Sequence, residues 1–367
     1  MRVVLSGGGT GGHIYPALAL QKNILAHYPD AEFLYIGTAQ GMEAKIVPEQ
    51  GIPFKTVRIQ GLKRSLSMDN LKTALYMLQS VSAARKLLKD FQPDVVVGTG
   101  GYVCAPVLYA ASHLGLPTVI HEQNSVAGIT NKFLSRYVDK IAICFDRVKA
   151  DFSRYAHKIV YTGNPRAQEV AAISDKVDLT EYGLVNNRPT LLIFGGSRGA
   201  QRINDAVMAS LEAFTKRPYQ VLIATGEIYY DDYQKEFDHL DQLTNVKVVP
   251  YIKNMPQLFN TVDLVVCRSG ATTLTELTAL GTPSLLIPSP NVTGNHQQRN
   301  AESLVDHRAA KMLLEEDLNN DLFLEMIDEL MADDIQRVQM SQQARLLGVP
   351  DAADRLRRVL ETAIEEK

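Results

Sequence analysis

Three segments carry residue types suited to holding a phosphate. Gly7-Gly8-Gly9-Thr10-Gly11-Gly12-His13 follows an apolar run and precedes a helical pattern over 15–28. Glycines let the main chain turn sharply and bring amides close to an anion, and a following helix N-terminus favours negative charge. Gly195-Gly196-Ser197-Arg198-Gly199-Ala200 repeats the arrangement in the second half. The third segment, 267–276, leads from an apolar run through Arg268, Ser269, Gly270, Ala271, Thr272 and Thr273 to Glu276. Its small residues expose helix-terminal amides that suit a diphosphate. Glu276, expected on about the first turn, either caps that helix or accepts hydrogen bonds from two ribose hydroxyls. The phosphate-directed loop before it favours the ribose.

Candidate proton carriers are fewer. His13 follows the first glycine loop, and imidazole titrates near neutral pH, so it is the first candidate for a general base. The competing role is a histidine that only hydrogen-bonds its own loop. Glu122 and His121, adjacent in His121-Glu122-Gln123-Asn124, come second. Gly294 to Asn300 is a polar cluster in which the Gln297 amide suits sugar hydroxyls or, alternatively, caps a helix. Gly7, Gly9 and Gly12 satisfy the dinucleotide spacing, but the next strand ends on Gly37 and Thr38. A nicotinamide cofactor would want an acidic residue there, so that reading is disfavoured. Neither D-x-D nor H-x-x-x-H occurs, and no protein site for a metal is expected.

Positioning these groups requires a scaffold. Short, continuously apolar runs at 2–6, 32–37, 55–59, 94–98, 117–120 and 139–144 alternate with helical patterns near 15–28, 41–49, 69–90, 103–114 and 128–136. That alternation predicts a doubly wound α/β domain with a buried parallel sheet. A second series at 190–194, 220–224, 246–249, 263–267, 284–287 and 309–314 predicts another. The expected division is 1–163, completed by a Pro350-initiated helix over about 350–367, and 164–349.

The chain has 367 residues, 46% hydrophobic and 22% charged, the proportions of a folded protein of about two domains. No apolar run approaches the roughly 18 residues of a membrane span, and the N-terminus lacks a signal-peptide core. Three scattered cysteines fit a reducing compartment. Residues 1–165 hold 18 Lys+Arg and 11 Asp+Glu, a charge of +7, leaving −10 for 166–367. Either the first half alone faces something anionic or the split is chance surface composition. The first-half segment 62–91 mixes leucines with Lys63, Arg64, Lys72, Arg85, Lys86 and Lys89, which suits an interfacial helix on anionic lipid or, for part of it, an amphipathic core helix with a solvated basic face. Nucleic acid is not an expected partner, since no basic stripe is interleaved with aromatics and Trp is absent.

Taken in order, GGGTGGH, GTGGYVCAPV (98–107), HEQN (121–124), TNKFL (130–134), GNPR (163–166), GGSRGAQRIN (195–204), CRSGATTLTE (267–276) and NHQQRNA (295–301) resemble the MurG family of bacterial peptidoglycan N-acetylglucosaminyltransferases. The resemblance runs over essentially the whole chain. It implies a GT-B architecture of two Rossmann-like domains facing a cleft, with the C-terminal helix returning to the first. It implies transfer of N-acetylglucosamine from UDP-GlcNAc to the muramyl 4-hydroxyl of lipid I, with inversion, giving lipid II. Matched to donor-binding positions are Thr10, Gly11, Gly12, Asn124, Arg166, Ser197, Ile252, Ala271, Thr272, Thr273, Leu274, Thr275, Glu276 and Gln297, with Gln298 second to its neighbour. Ile252 would meet uracil through its backbone. The resemblance further implies a peripheral enzyme on the cytoplasmic side of the cell membrane. Magnesium would act at most in solution, and cell-wall and division proteins would be partners. Two alternatives remain: a UDP-GlcNAc 2-epimerase of the same two-domain design, and a non-catalytic nucleotide-sugar sensor.

Overall fold

The computed structural model describes residues 1–59, 68–196, 198–238 and 245–367, the side chains of 68–76 excepted. These residues form two compact units, Met1–Gln168 with Asp351–Lys367, and Glu169–Pro350.

The first unit runs β1 (Arg2–Ser6), α1 (Gly11–His27), β2 (Glu32–Gly37), α2 (Glu43–Glu49), β3 (Phe54–Thr56), α3 (Met68–Phe91) and β4 (Val95–Gly98). It continues through α4 (Cys104–His113), β5 (Thr118–Glu122), α5 (Ile129–Leu134), β6 (Lys140–Ile143), β7 (Ile159–Tyr161) and the start of α6 (Arg166–Ala171). Its seven strands are ordered β3-β2-β1-β4-β5-β6-β7, and every pairing is parallel. Val3, Leu5, Val95 and Val97 point to one face, Val4 and Val96 to the other, and all are fully buried. Burial on both faces is why these strands read as unbroken apolar runs rather than alternating ones.

The second unit contains β8 (Thr190–Phe194), α7 (Gln201–Thr215), β9 (Gln220–Ala224), α8 (Glu227–Tyr230), α9 (Gln234–Phe237), β10 (Val246–Val249) and α10 (Met255–Phe259). After these come β11 (Leu264–Cys267), α11 (Ala271–Leu280), β12 (Ser284–Leu286), α12 (His296–Val305), β13 (Lys311–Met312), α13 (Asn320–Ala332) and α14 (Asp334–Leu347). Its six strands are ordered β10-β9-β8-β11-β12-β13 and are also parallel.

The last helix, α15 (Ala352–Glu365), belongs to the first unit, as the resemblance implies. Leu356, Val359, Leu360 and Ala363 cover the face of the sheet that carries Val3 and Leu5. The helix is pinned at its first turn. Asp354 accepts from Asn23 Nδ2 and Gln168 Nε2, each at 3.0 Å, and its own amide donates to Gln168 Oε1 at 3.0 Å. This tie holds the first turn of α6 in the first unit, so the chain crosses at Gln168/Glu169 rather than 163/164. The return crossing is at Pro350/Asp351. Pro350 therefore precedes the N-cap, Asp351, instead of opening the helix.

Candidate functional site

Each sheet has one place where neighbouring strands send their chains in opposite directions, and such switch points are where open α/β sheets bind ligands. In the first unit it lies between β1 and β4, in the second between β8 and β11. The three glycine-containing segments singled out from sequence leave β1, β8 and β11. They therefore occupy the carboxyl ends of the strands at the two switch points.

In the first unit the loop after β1 meets the loop after β4. Gly8 N donates to Gly100 O at 3.1 Å, and a β-carbon on Gly101 would stand 2.5 Å from Gly8 O. The helix that follows begins at Gly11, so Gly11, Gly12 and His13 form its first turn, rather than a loop ahead of residue 15. Thr10 is the N-cap residue, makes no side-chain cap, and no acidic residue occupies the first turn. His13 Nδ1 lies 2.8 Å from Gly8 O. A carbonyl only accepts, so Nδ1 is the donor in this contact, and in the neutral ring the lone pair then falls on Nε2. The His13 carbonyl in turn accepts from Thr99 Oγ1 at 2.7 Å.

The other two proton-carrier candidates are committed to the framework. Glu122 is 2% exposed at the end of β5. Its carboxylate accepts from Asn124 N at 3.1 Å, Asn124 Nδ2 at 3.4 Å, Gly128 N at 2.9 Å and Asn131 Nδ2 at 2.8 Å. It thus shapes the 123–131 loop and positions Asn124. His121 is fully buried; its Nε2 donates to Gly163 O at 3.0 Å, and its Nδ1 accepts from Gln123 Nε2 at 2.9 Å. Burial pushes its pKa down to about 4, opposed in part by the Gly163 carbonyl, so the ring is neutral. Arg166 opens α6 half-buried, its amide donating to Asn164 Oδ1 at 3.1 Å.

In the second unit Ser197 lies outside the described residues. Around it the glycines are needed for space: a β-carbon on Gly199, where φ is +74°, would sit 2.0 Å from Thr225 O. Arg198 is exposed. The loop after β11 leads through Ser269 to the Gly270 N-cap, which makes no side-chain cap, and α11 has no acidic residue in its first turn. The first amides of the helix, at Ala271, Thr272 and Thr273, therefore lack the side-chain carboxylate that would neutralise them. The Thr272 hydroxyl is enclosed and has no hydrogen-bond partner among the described residues. Glu276 is the sixth residue of α11, so it stands on the second turn rather than the first, half-buried with Thr273 and Thr275. Leu274 packs into the core, and Ile252, 2% exposed, lies between β10 and α10.

The polar cluster at 294–300 is tied to this loop. Ser269 Oγ donates to Gln297 O at 2.8 Å, Asn300 Nδ2 to Ser269 O at 3.2 Å, and Ser289 N to Gln297 Oε1 at 2.9 Å. Gln297 thus bridges the loops after β11 and β12, and its carboxamide oxygen is taken. Gln298 is held locally, accepting from Asn295 Nδ2 at 2.5 Å and donating to Glu302 at 3.2 Å. Arg268, named from sequence only as part of the segment, has a structural role. It is ion-paired to Glu315 and donates to the carbonyls of Ile287 and Pro288 at 3.1 and 3.2 Å, fixing the end of β12 beside the loop. An arginine next to a small-residue turn was its only signal.

Residues 3–143 match the glycosyltransferase family 28 N-terminal domain and residues 190–356 the family's C-terminal domain. The chain is 54% identical to a UDP-N-acetylglucosamine--N-acetylmuramyl-(pentapeptide) pyrophosphoryl-undecaprenol N-acetylglucosamine transferase from Bacillus licheniformis, over 98% of both chains. It is 51% identical to the transferase of that name from Listeria monocytogenes, over 97% of this chain and 98% of the relative. Among solved structures it is similar to Acinetobacter baumannii MurG, at TM-score 0.80 and 28% identity over 100% and 99% of the two chains. A UDP-GlcNAc 2-epimerase from Neisseria meningitidis shares the fold at TM-score 0.70 and 15% identity, over 99% and 100% of the chains. With both halves matched and these relatives aligned nearly end to end, the chain belongs to glycosyltransferase family 28.

Proposed function

We propose that this chain transfers N-acetylglucosamine from UDP-GlcNAc to the muramyl 4-hydroxyl of lipid I, forming lipid II and UDP for peptidoglycan synthesis. The observation that carries this reading is the 54% identity to the Bacillus licheniformis transferase across 98% of both chains. The epimerase alternative rests on fold likeness alone, at 15% identity.

The site geometry supports a division of labour. The uncapped start of α11 and the Ser269–Gln297 ties suit a uridine diphosphate, with Glu276 on the ribose and the Ile252 backbone at the base. Helix-terminal amides stabilise the charge that grows on the leaving diphosphate without requiring a protein-bound metal. His13 is the base: Nε2 takes the proton of the acceptor hydroxyl as its oxygen bonds to the anomeric carbon. The bond from that carbon to the diphosphate oxygen breaks on the opposite face, and its electron pair leaves with UDP. General-base catalysis of this kind contributes typically 10²–10⁴-fold. Magnesium, where it acts, acts in solution on the diphosphate.

Lipid I carries the site to a membrane surface, and the reading is of a peripheral protein on the cytoplasmic face. No helix among the described residues is long and apolar enough to cross a membrane. Of the basic segment 62–91, the side chains of 62–76 lie outside the described residues, while Arg85, Lys86 and Lys89 are exposed and Leu78 is 70% exposed. A second cluster supports docking: Tyr109, Phe133 and Tyr137 pack together, and Arg136 lies 5.3 and 5.2 Å from the centroids of the last two rings. Aromatic rings beside a cation suit an anionic headgroup layer. Cell-wall and division proteins are proposed as further partners.

The test is a transfer assay with labelled UDP-GlcNAc and a short-chain lipid I analogue. Labelled lipid II supports the reading. An epimer formed without acceptor would favour the epimerase, and tight donor binding without turnover a sensor.

A further inference from the structure

Glu43, the first residue of α2, takes no part in the proposed reaction. Its side chain is fully buried, yet it carries a carboxylate. Oε2 accepts from Gly9 N at 3.0 Å, and Oε1 accepts from Thr38 N at 3.0 Å and Thr38 Oγ1 at 2.7 Å. A β-carbon on Gly8 would lie 2.4 Å from Oε1, and one on Gly41 would lie 2.1 Å from Oε2. The carboxylate is therefore packed directly against the glycine loop. Burial alone would raise its pKa. The Thr38 hydroxyl and the amides of Gly9, Glu43 and Thr38 outweigh burial and hold it below the ordinary value, so the group is an anion.

The bonds form a short chain to the reacting group. Glu43 holds the Gly9 amide. Gly8, the next residue back, is held by Gly100 O at 3.1 Å through its own amide, and its carbonyl accepts from His13 Nδ1 at 2.8 Å. We infer that Glu43 is a positioning residue for His13: its buried carboxylate fixes the Gly7–Gly12 loop so that the Gly8 carbonyl keeps the proton on Nδ1 and leaves Nε2 open to the acceptor. This inference rests on His13 being the base.

The arrangement dictates the variant. Glu43→Gln keeps the volume. Its single carbonyl oxygen can serve both Thr38 donors, but its amino group then faces the Gly9 N–H, donor against donor. The substitution thus releases the loop while leaving the Thr38 side intact.

The experiment is a double-mutant cycle on the full chain with labelled UDP-GlcNAc and the lipid I analogue, comparing wild type, Glu43→Gln, His13→Asn and the double variant. Loop displacement is expected to lower kcat roughly 10- to 100-fold in Glu43→Gln. kcat is read at saturating UDP-GlcNAc, so that any weakening of the donor at Thr10, Gly11 and Gly12 of the same loop enters KM rather than the comparison. In the His13→Asn background the loss should shrink to less than about twofold, because the group being positioned is gone. Equal losses in both backgrounds, or wild-type kcat in Glu43→Gln, overturn the inference. Wild-type turnover in His13→Asn overturns the base assignment instead, so the two failures are distinguishable. Should Glu43→Gln not fold, Thr38→Val, which removes the 2.7 Å bond to the carboxylate, takes its place in the same cycle. A kcat loss confined to the His13 background is then expected, and an equal loss in both backgrounds overturns the inference.

Discussion

The ring of His13 fills the space where Gly100 would carry a β-carbon: His13 Cδ2 lies 2.5 Å and Nε2 2.9 Å from that position. Gly100 also has φ of +118°, a region open to glycine and strained for other residues. Gly100→Ala should therefore push the imidazole aside. With the proposed base misplaced by about an ångström, kcat should fall roughly 100-fold. KM for UDP-GlcNAc should change little. Steady-state kinetics check both, and an unchanged kcat would separate His13 from the chemistry.

Glu122 is bound on all sides by donors, which distinguishes a framework carboxylate from a proton carrier. Glu122→Gln should destabilise the chain by about 2 kcal/mol, since the new amino group confronts N–H donors. Chemical denaturation measures this. A base would behave differently: turnover would collapse with stability intact.

His121 makes stability depend on pH. Its pKa is about 4 in the folded chain and near 6.5 in the unfolded one, so between these values the unfolded chain binds the extra proton. Stability is then full above pH 6.5 and falls as pH drops toward 4, by at most about 3 kcal/mol from this residue. His121→Gln keeps a donor toward Gly163 O but cannot titrate. It should flatten the slope of denaturation midpoint against pH in that window. An unaltered slope would assign the pH dependence elsewhere.

Asp354 should govern the docking of α15. Asp354→Ala removes acceptors from Asn23 and Gln168 and should cost about 1–2 kcal/mol. Faster amide exchange through residues 352–365 would report the loosening, with β8–β13 unaffected.

The sheets were legible because both faces of every central strand are buried, which writes an unbroken apolar run into the sequence. The edge strands β3, β10 and β13 also fall on apolar runs, but β7, Ile159–Tyr161 at the end of its sheet, is an apolar run of only three residues before a polar stretch and carries no expectation of a strand. The start of α1 was misplaced because Gly11 and Gly12 disfavour helix on their own, whereas here they form its first turn. The phosphate-directed loops were visible as composition. What supports them was not: Glu43 meets Gly9 across 34 positions of chain, and no local pattern marks such a pair. Glu122 and His121 stood out as reactive types, but only tertiary contacts reveal that their polar atoms are already engaged.

The return of α15 has a bearing on biosynthesis. All of residues 169–350 must leave the ribosome before Leu356, Val359 and Leu360 can seal the sheet face that begins with Val3 and Leu5. During translation that apolar surface stands bare while the second unit, an uninterrupted stretch, is free to complete itself first. The portion made earliest thus matures last, and a nascent-chain chaperone would have its longest engagement there.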